Sequence, residues 1–191
     1  VVIETKDHRL IYDTGRRFSG RFNAGEHIIA PYLRSIGGST INKVIVSHAD
    51  SDHAGGLSGL LNNVNIDGEI LSGEPTSLSP TGDISAQQCY QGQQWQWDDV
   101  TFSVLWPSHS YLTRSRQEGS KSKGNNVSCV LLISYEGENI LLTGDIEKEA
   151  EYGLLGIADL PENIDIMLVP HHGSKTSSSD SLLAHLRPSF A

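Results

Sequence analysis

Two histidines and two aspartates lie within six positions of the sequence, in the stretch HADSDH. They are His48, Asp50, Asp52 and His53, and an apolar run comes directly before them. Imidazole nitrogens suit zinc, iron and manganese, whereas carboxylate oxygens suit harder cations. Ligands of both types at this spacing can surround two adjacent cations from a single turn of chain. The stretch therefore predicts a metal site.

A calcium-binding turn and plain surface polarity are the other interpretations of the same stretch. A calcium loop of the EF-hand type needs further oxygen ligands and a late glutamate. The residues that follow, HAGGLSGLL, supply neither. We therefore favour a site built from the histidines and the aspartates together.

Two later groups of the same chemistry also follow apolar runs. Asp145 ends ILLTGD, and His171 and His172 stand in VPHHGS. Taken alone, Asp145 is equally an N-cap, because a helical pattern begins just after it, and a lone histidine pair is more often structural. The presence of three such groups after apolar runs favours a common role as metal ligands. We expect His48, Asp52, His53 and Asp145 to converge on one metal site.

The elements that position these groups alternate between strands and helices. Apolar alternation and turn residues predict strands within 1–5, 10–15, 43–47, 68–73, 94–107, 129–145 and 164–170. Helical spacing predicts helices within 27–37, 54–64, 146–156 and 179–187. The order is that of an α/β sandwich, in which loops at strand ends usually carry the site.

Length and composition set limits on the function. A chain of 191 residues is expected to form one domain, and its net charge of −9 argues against a polyanion partner. Its pattern predicts no signal peptide, and its apolar runs are too short to span a bilayer. Cys89 and Cys129 lack metal-type spacing, and whether they pair is open. Both ends fall inside apparent strands, from which we expect a piece of a longer protein.

The three groups together resemble the metallo-β-lactamase superfamily, whose loop pattern is His-x-His-x-Asp-His, followed by a late aspartate and a further histidine. Asp50 stands here in place of the second histidine. That variant, with LLTGD and PHHGS, resembles the hydrolase domain of the ComEC family of DNA-uptake competence proteins. The similarity covers nearly the whole chain through IYDTG, VIVSHADSDHAGGL, VLWP, NNVSCVLLI, ILLTGDIE and LVPHHGSKTSSS.

The resemblance implies a four-layer αββα metallo-β-lactamase sandwich, truncated at both ends, that forms a single domain over 1–191. It implies two divalent metal ions, Mn²⁺ or Zn²⁺, and no small-molecule organic cofactor. Mn²⁺ is favoured because Asp50 offers an oxygen ligand where relatives offer a nitrogen. The expected activity is hydrolysis of DNA phosphodiester bonds, which degrades the strand that is not imported. The expected partners are DNA and the rest of a membrane channel protein, on the periplasmic face of the inner membrane.

The same resemblance implies roles for individual residues. His48 and Asp50 would serve the first metal, Asp52 and His53 the second, and Asp145 would bridge both. Either His171 or His172 is a ligand, with His172 the expected one, and the other donates a proton to the leaving group. The expected catalytic residues are Asp52, His171 and His172.

Relatives usually carry another histidine where this chain has GNNVS. Asn125, Asn126 and Ser128 are therefore expected to contact the metal or the substrate. Asp13, in YDTG, either supports the metal loop by hydrogen bonds or is a turn-forming residue.

A basic stretch before the asparagine pair offers a contact for DNA in an acidic chain. Its cations are Arg114, Arg116, Lys121 and Lys123, against only Glu118. The stretch is rich in Ser and Gly and is expected to be a mobile loop. It either contacts the phosphates of the DNA backbone or is a solvated loop without a binding role.

Two other functions remain open. A lactonase or thioesterase of the same fold would generally keep the second histidine, which Asp50 replaces. An inactive metal-binding module that guides DNA is the other alternative, and the GNN substitution favours it.

Overall fold

The computed structural model describes residues 1–38, 40–78, 84–117, 124–157 and 160–191. The chain divides into two compact units, Val1–Gln88 and Cys89–Ala191. The described strands form one five-stranded sheet in each unit and a small two-stranded sheet in the first. The α/β composition expected from the sequence is therefore present in both units.

The first unit is built on a mostly parallel sheet. Its strands are β1 (Val2–Glu4), β2 (Arg9–Tyr12), β3 (Arg17–Ser19), β4 (Phe22–Asn23), β5 (Thr40–Val46), β6 (Asn65–Ser72) and β7 (Gln87–Gln88). The large sheet has the order β1-β2-β5-β6-β7, in which only β1 runs antiparallel to its neighbour. β3 and β4 pair separately as a short hairpin.

Short helices connect these strands and cover the sheet. They are α1 (Ala30–Ser35), α2 (Ser51–Ala54), α3 (Leu57–Leu61) and α4 (Pro75–Leu78), and a π-helical turn at Gly25–Ile29 precedes α1. The apolar core joins β5 to the helices through Val44, Val46, Leu33 and Leu60. Burial of this apolar face holds the end of β5, and with it the HADSDH stretch, in one place.

Two glycines allow the π-helical turn to lie directly against the start of α3. A Cβ atom on Gly25 would collide with the Gly56 carbonyl, and one on Gly56 would collide with the Thr14 carbonyl. The backbones are therefore in direct contact here, which fixes the chain after β2 against the segment that follows the HADSDH stretch.

The second unit contains the other sheet. Its strands are β8 (Gln94–Trp97), β9 (Val100–Trp106), β10 (Val130–Tyr135), β11 (Glu138–Leu142) and β12 (Ile166–Met167), and its helices are α5 (His109–Gln117), α6 (Lys148–Leu155) and α7 (Asp180–Leu186). The sheet order is β12-β11-β10-β9-β8, with only β11 and β12 parallel. The strands expected within 94–107 and 129–145 are present, and in each range they form an antiparallel pair.

Sheet and helices of the second unit share one core. Leu141 and Ile146 are fully buried there, as are Ala150 and Leu154 of α6. Cys89 and Cys129 form a disulfide with their Cα atoms 6.0 Å apart, which answers the question that the sequence left open.

Three local expectations differ from the structure. The helix after the metal loop begins at Ser51, three residues before the expected start, and it breaks between α2 and α3. The last strand is only β12, and a 3-10 turn, Pro170–Gly173, follows it. Arg114 and Arg116 lie on α5 rather than in a loop, because Tyr111, Leu112 and Ser115 of that helix are buried at helical spacing.

Two of the expected DNA-contacting residues, Lys121 and Lys123, lie outside the described residues. Within the part of the chain that is described, none of the helices is long and apolar enough to cross a membrane.

Candidate metal centre

The HADSDH stretch follows the carboxyl end of β5 and leads into α2. His48 comes two residues after Val46, the last residue of the strand. The carbonyl of Asp50 accepts from the backbone N–H groups of His53 (3.0 Å) and Ala54 (2.8 Å), which closes the first turn of α2. The stretch is therefore held as one turn between a buried strand and a helix, with Asp52 and His53 in the helix.

The two imidazoles of this turn are oriented by hydrogen bonds at Nδ1. Ser47 Oγ lies 3.1 Å from Nδ1 of His48 and 3.2 Å from Nδ1 of His53. The ring centroids are 4.3 Å apart, and both histidines are buried. A histidine held at one ring nitrogen presents the other to a metal, so Nε2 is the candidate ligand atom of each ring.

Asp13 contacts the same turn from the end of β2. Its carboxylate accepts from the backbone N–H of Ser47 (2.7 Å) and from Ser47 Oγ (3.0 Å), and its Oδ2 lies 2.8 Å from Nδ1 of His53. The residue adopts a left-handed backbone with φ of 59°. Since β2 and β5 are parallel neighbours, their carboxyl ends meet, and this places Asp13 beside Ser47.

The two other acids of the turn are more exposed. Asp50 Oδ2 lies 3.6 Å from Nε2 of His48, and the Asp50 side chain is 61% exposed. Asp52 is also exposed. A carboxylate beside the candidate ligand atom of His48 can supply an oxygen ligand to the same cation.

Asp145 lies in the second unit, three residues after the end of β11. It is 5% exposed, and its backbone N–H donates to Ser128 Oγ at 3.2 Å. The N-cap of α6 is Glu147, so Asp145 does not cap that helix. Its carboxylate instead has Nε2 of His172 at 3.5 Å from Oδ2. The second unit thus pairs a buried acid with a histidine at the ends of two neighbouring strands.

The adjacent His171 and His172 point to different groups. Both have a left-handed backbone, with φ of 46° and 53°, and their ring centroids are 6.5 Å apart. His172 faces Asp145, whereas His171 Nδ1 lies 3.1 Å from Thr176 Oγ1 and 3.4 Å from Glu147 Oε1. The unusual backbone therefore gives neighbouring imidazoles separate environments.

The asparagine pair lies on a 3-10 turn, Asn125–Val127, beside His171. Asn125 Nδ2 lies 3.3 Å from His171 Nε2. The side-chain Oδ1 of Asn126 instead accepts from the backbone N–H of Glu147 at 2.8 Å. The backbone carbonyl of Asn126 accepts from Trp106 Nε1. Asn125 is therefore the member of the pair whose side chain contacts a candidate site residue.

Sequence reasoning missed several polar residues that contact these groups. They are Ser47, Thr14, Glu74, Glu147 and Thr176. Thr14 Oγ1 donates to the His53 carbonyl at 2.9 Å, and Glu74 accepts from the Ala49 N–H at 3.2 Å. Ser47 had a signal, since a hydroxyl residue stands between the strand and the first histidine. Thr14, Glu74 and Glu147 meet their partners across long stretches of sequence and carry no local signal, whereas Thr176 stands only five residues after His171.

A comparison with protein families matches the metallo-beta-lactamase superfamily over residues 1–189. Among curated proteins, Recombination protein 2 of Haemophilus influenzae is 37% identical over 185 residues, covering 95% of this chain and 21% of that protein. Competence protein ComA of Neisseria gonorrhoeae is 32% identical, covering 100% and 24%. ComE operon protein 3 of Bacillus subtilis is 27% identical, covering 96% and 25%. The chain thus spans a quarter or less of each of these relatives.

Solved structures show the same fold at low sequence identity. The metallo-beta-lactamase SMB-1 with 2-mercaptoethanesulfonate superposes with a TM-score of 0.57 at 14% identity, covering 89% of this chain and 72% of that one. A metallo-beta-lactamase of Cronobacter sakazakii gives 0.53 at 16% identity, covering 76% and 52%. The expected fold is confirmed. The chain belongs to the metallo-beta-lactamase superfamily, as a segment related to the competence proteins of the ComEC family.

Proposed function

We propose that this chain is a metal-dependent phosphodiesterase that hydrolyses DNA. The observation that carries the proposal is the HADSDH turn, in which Ser47 holds both imidazoles at Nδ1, in a chain related to competence proteins. Hydrolases of one fold act on many substrates, so the substrate follows from the relatives and from the ligand pattern rather than from the fold.

The donor set suits divalent cations. Two imidazoles with oriented Nε2 atoms, and carboxylates at Asp50, Asp52 and Asp145, combine nitrogen and oxygen ligands. We propose that these residues and His172 hold two divalent metal ions. When bound, such ions lower the pKa of a coordinated water and polarise a phosphoryl oxygen.

The remaining residues orient or move protons. Asp13 and Ser47 fix the rotation of the His53 ring, so that its Nε2 keeps one direction. We assign His172 as a ligand because it faces Asp145. His171, between Thr176 and Glu147, is then the group that donates a proton to the leaving oxygen.

DNA is the proposed substrate because the named relatives include competence proteins and a recombination protein. Their full length is four to five times what this chain spans, as its 21–25% share indicates. We propose that the rest of such a membrane protein is the partner of this segment. Degradation of the strand that is not imported, on the periplasmic face of the inner membrane, is the corresponding role.

Hydrolysis by an Asp145→Asn variant tests the proposal. The wild-type chain with Mn²⁺ should degrade plasmid and single-stranded DNA, and the variant should lose at least about 100-fold of that rate, since a buried ligand charge is removed. Because the amide has the same shape, thermal unfolding should stay close to wild type. Asp180→Asn, an exposed acid on α7, is the matched control and should keep full activity.

The same assay separates the alternative functions. Rapid hydrolysis of a lactone or thioester with no attack on DNA would identify a small-molecule hydrolase. DNA binding with no hydrolysis in the presence of Mn²⁺, Zn²⁺ or Mg²⁺ would identify an inactive guiding module. Either result would contradict the proposed function.

A further inference from the structure

The hairpin formed by β3 and β4 exposes two phenyl rings. Phe18 is 59% exposed and Phe22 is 42% exposed. Their ring centroids are 5.5 Å apart in an edge arrangement, and the Phe22 ring stacks on His27 at 4.6 Å. Large apolar side chains exposed together on so short a hairpin do not contribute to a core, and such a group is typical of a binding surface.

The same hairpin concentrates positive charge in an acidic chain. Arg16, Arg17 and Arg21 fall within six positions and are exposed, although the chain has a net charge of −9. Arg17 Nε donates to the Ser19 carbonyl at 3.3 Å. Among the residues that the structure describes, no carboxylate forms an ion pair with any of the three arginines. Their charge is therefore available to an anionic partner.

The base of the hairpin is fastened to the metal loop. Gly15 accepts from the Gly56 N–H at 2.9 Å, and the Thr14 N–H donates to the His53 carbonyl at 2.8 Å. A Cβ atom added to Gly55, which directly follows α2, would collide with the Arg17 backbone. A ligand held on the hairpin would therefore lie beside the helix that carries Asp52 and His53.

We propose that this hairpin, residues 16–23, is a contact site for single-stranded nucleic acid. Bases stack on Phe18 and Phe22, and the arginines contact the phosphates on either side. Aromatic rings beside cationic groups bind single strands with little dependence on sequence. The inference rests on the proposed function, in that it names the form of DNA that this chain holds next to its metal loop.

The geometry favours a nucleic acid over a lipid surface. Ser19 pairs with Phe22, so Gly20 and Arg21 form the turn at the tip of the hairpin. An arginine therefore stands at the point that a membrane-inserting hairpin would bury, while the two rings lie along the side. Rings flanked by guanidinium groups match the alternation of bases and phosphates along a strand.

Binding of a fluorescent oligo(dT) 20-mer tests the inference. Anisotropy is measured on the full 191-residue chain in EDTA, so that hydrolysis cannot contribute. Phe18→Ala with Phe22→Ala should raise Kd at least about fivefold, the effect of removing one stacked base, and should leave duplex binding unchanged. Alanine at the three arginines should weaken binding of both forms and reduce the salt slope by about 0.7 for each phosphate that is no longer neutralised.

Matched variants separate a binding role from a structural one. Phe18→Tyr with Phe22→Tyr should keep the wild-type Kd, because a phenol also stacks. Tyr135→Ala removes an exposed aromatic from the second unit, and Arg34→Ala removes an exposed arginine from the first; both should leave Kd unchanged. Hydrolysis of bis(p-nitrophenyl) phosphate by the Phe variant should also stay at the wild-type rate, since that substrate is too small to need the hairpin.

The outcomes are distinct from those of the nuclease test. An unchanged oligo(dT) Kd in the Phe18→Ala, Phe22→Ala variant would overturn the inference, even if the chain degrades DNA. Loss of binding to phosphatidylglycerol vesicles without loss of oligo(dT) affinity would overturn it in favour of a membrane contact. Weaker oligo(dT) binding in that variant, with no hydrolysis by the wild type, would support the hairpin and reject the nuclease function.

Discussion

At the residue scale, the metal preference of the candidate centre depends on the residues that stand in place of the family's histidines. Asp50 stands where superfamily relatives carry a second histidine, and its Oδ2 lies 3.6 Å from Nε2 of His48. Asn125, one of the two asparagines in the stretch where the superfamily pattern places another histidine, contacts His171. The first metal would therefore take one imidazole and several oxygens, a harder donor set than a three-histidine zinc site.

This donor set predicts a preference for manganese. The wild-type chain, stripped with EDTA and reconstituted, should hydrolyse DNA faster with Mn²⁺ than with Zn²⁺, because oxygen-rich sites favour harder ions. Asp50→His should reverse that order by restoring a nitrogen ligand. Tight zinc retention by the wild type, with no stimulation by Mn²⁺, would contradict the argument from ligand hardness. Asp180→Asn again serves as the control and should keep the wild-type order.

At the element scale, helix α5 determines where the side chain of Arg114 lies. Helix α5 places Arg114 over the Tyr111 ring at 5.2 Å and within 2.9 Å of Glu149. Both charged side chains are more than half exposed, so the pair adds at most about 1 kcal/mol to stability. Arg114 is therefore displayed by a helix, with one acid neighbour that competes for its charge.

The basic segment that begins on α5 is expected to contribute to DNA binding rather than to hydrolysis. Replacing Arg114, Arg116, Lys121 and Lys123 with alanine should weaken duplex affinity and reduce the salt slope by about 0.9 for each phosphate that the segment no longer neutralises. Lys6→Ala, in the exposed turn between β1 and β2, is the control for loss of one exposed cation outside the segment. If the fourfold variant has the same duplex affinity and salt slope as Lys6→Ala, the segment does not contact DNA and is only solvated surface.

At the scale of the whole molecule, the proposed metal ligands come from both halves of the sequence. His48, Asp52 and His53 belong to the first compact unit, whereas Asp145 and His172 belong to the second. Convergence of the two sets on one centre is a prediction of the motif pattern. If it is right, bound metal stabilises the chain only when both sets are intact.

Thermal unfolding with added Mn²⁺ checks that convergence. At 100 times its Kd, the ion should stabilise the wild type by about 2.7 kcal/mol, which raises Tm by about 5 to 10 °C for a chain of this size. Asp52→Asn and Asp145→Asn should each remove most of the shift, because each takes away a ligand charge. A full shift in the Asp145→Asn variant, alongside an abolished shift in Asp52→Asn, would mean that the two acids do not share a metal.

The amino-acid sequence by itself determined the longer strands of both five-stranded sheets, most helices, the HADSDH turn and the family, but not the β3–β4 hairpin or β7. These depend on local patterns, since apolar periodicity and ligand spacing are properties of short segments. The same reasoning failed at the later half of α5, where a loop was expected, because burial of Tyr111, Leu112 and Ser115 outweighed the polar composition of the residues around them.

Only the tertiary structure decided which polar side chains meet. Asp13 contacts Ser47 and His53 across 34 and 40 positions, because parallel pairing of β2 with β5 brings their ends together. The left-handed backbone at His171 and His172 separated two residues that are equivalent in sequence. The Cys89–Cys129 bond likewise joins positions 40 residues apart. Each contact depends on chain pairing over a distance, which no local pattern records.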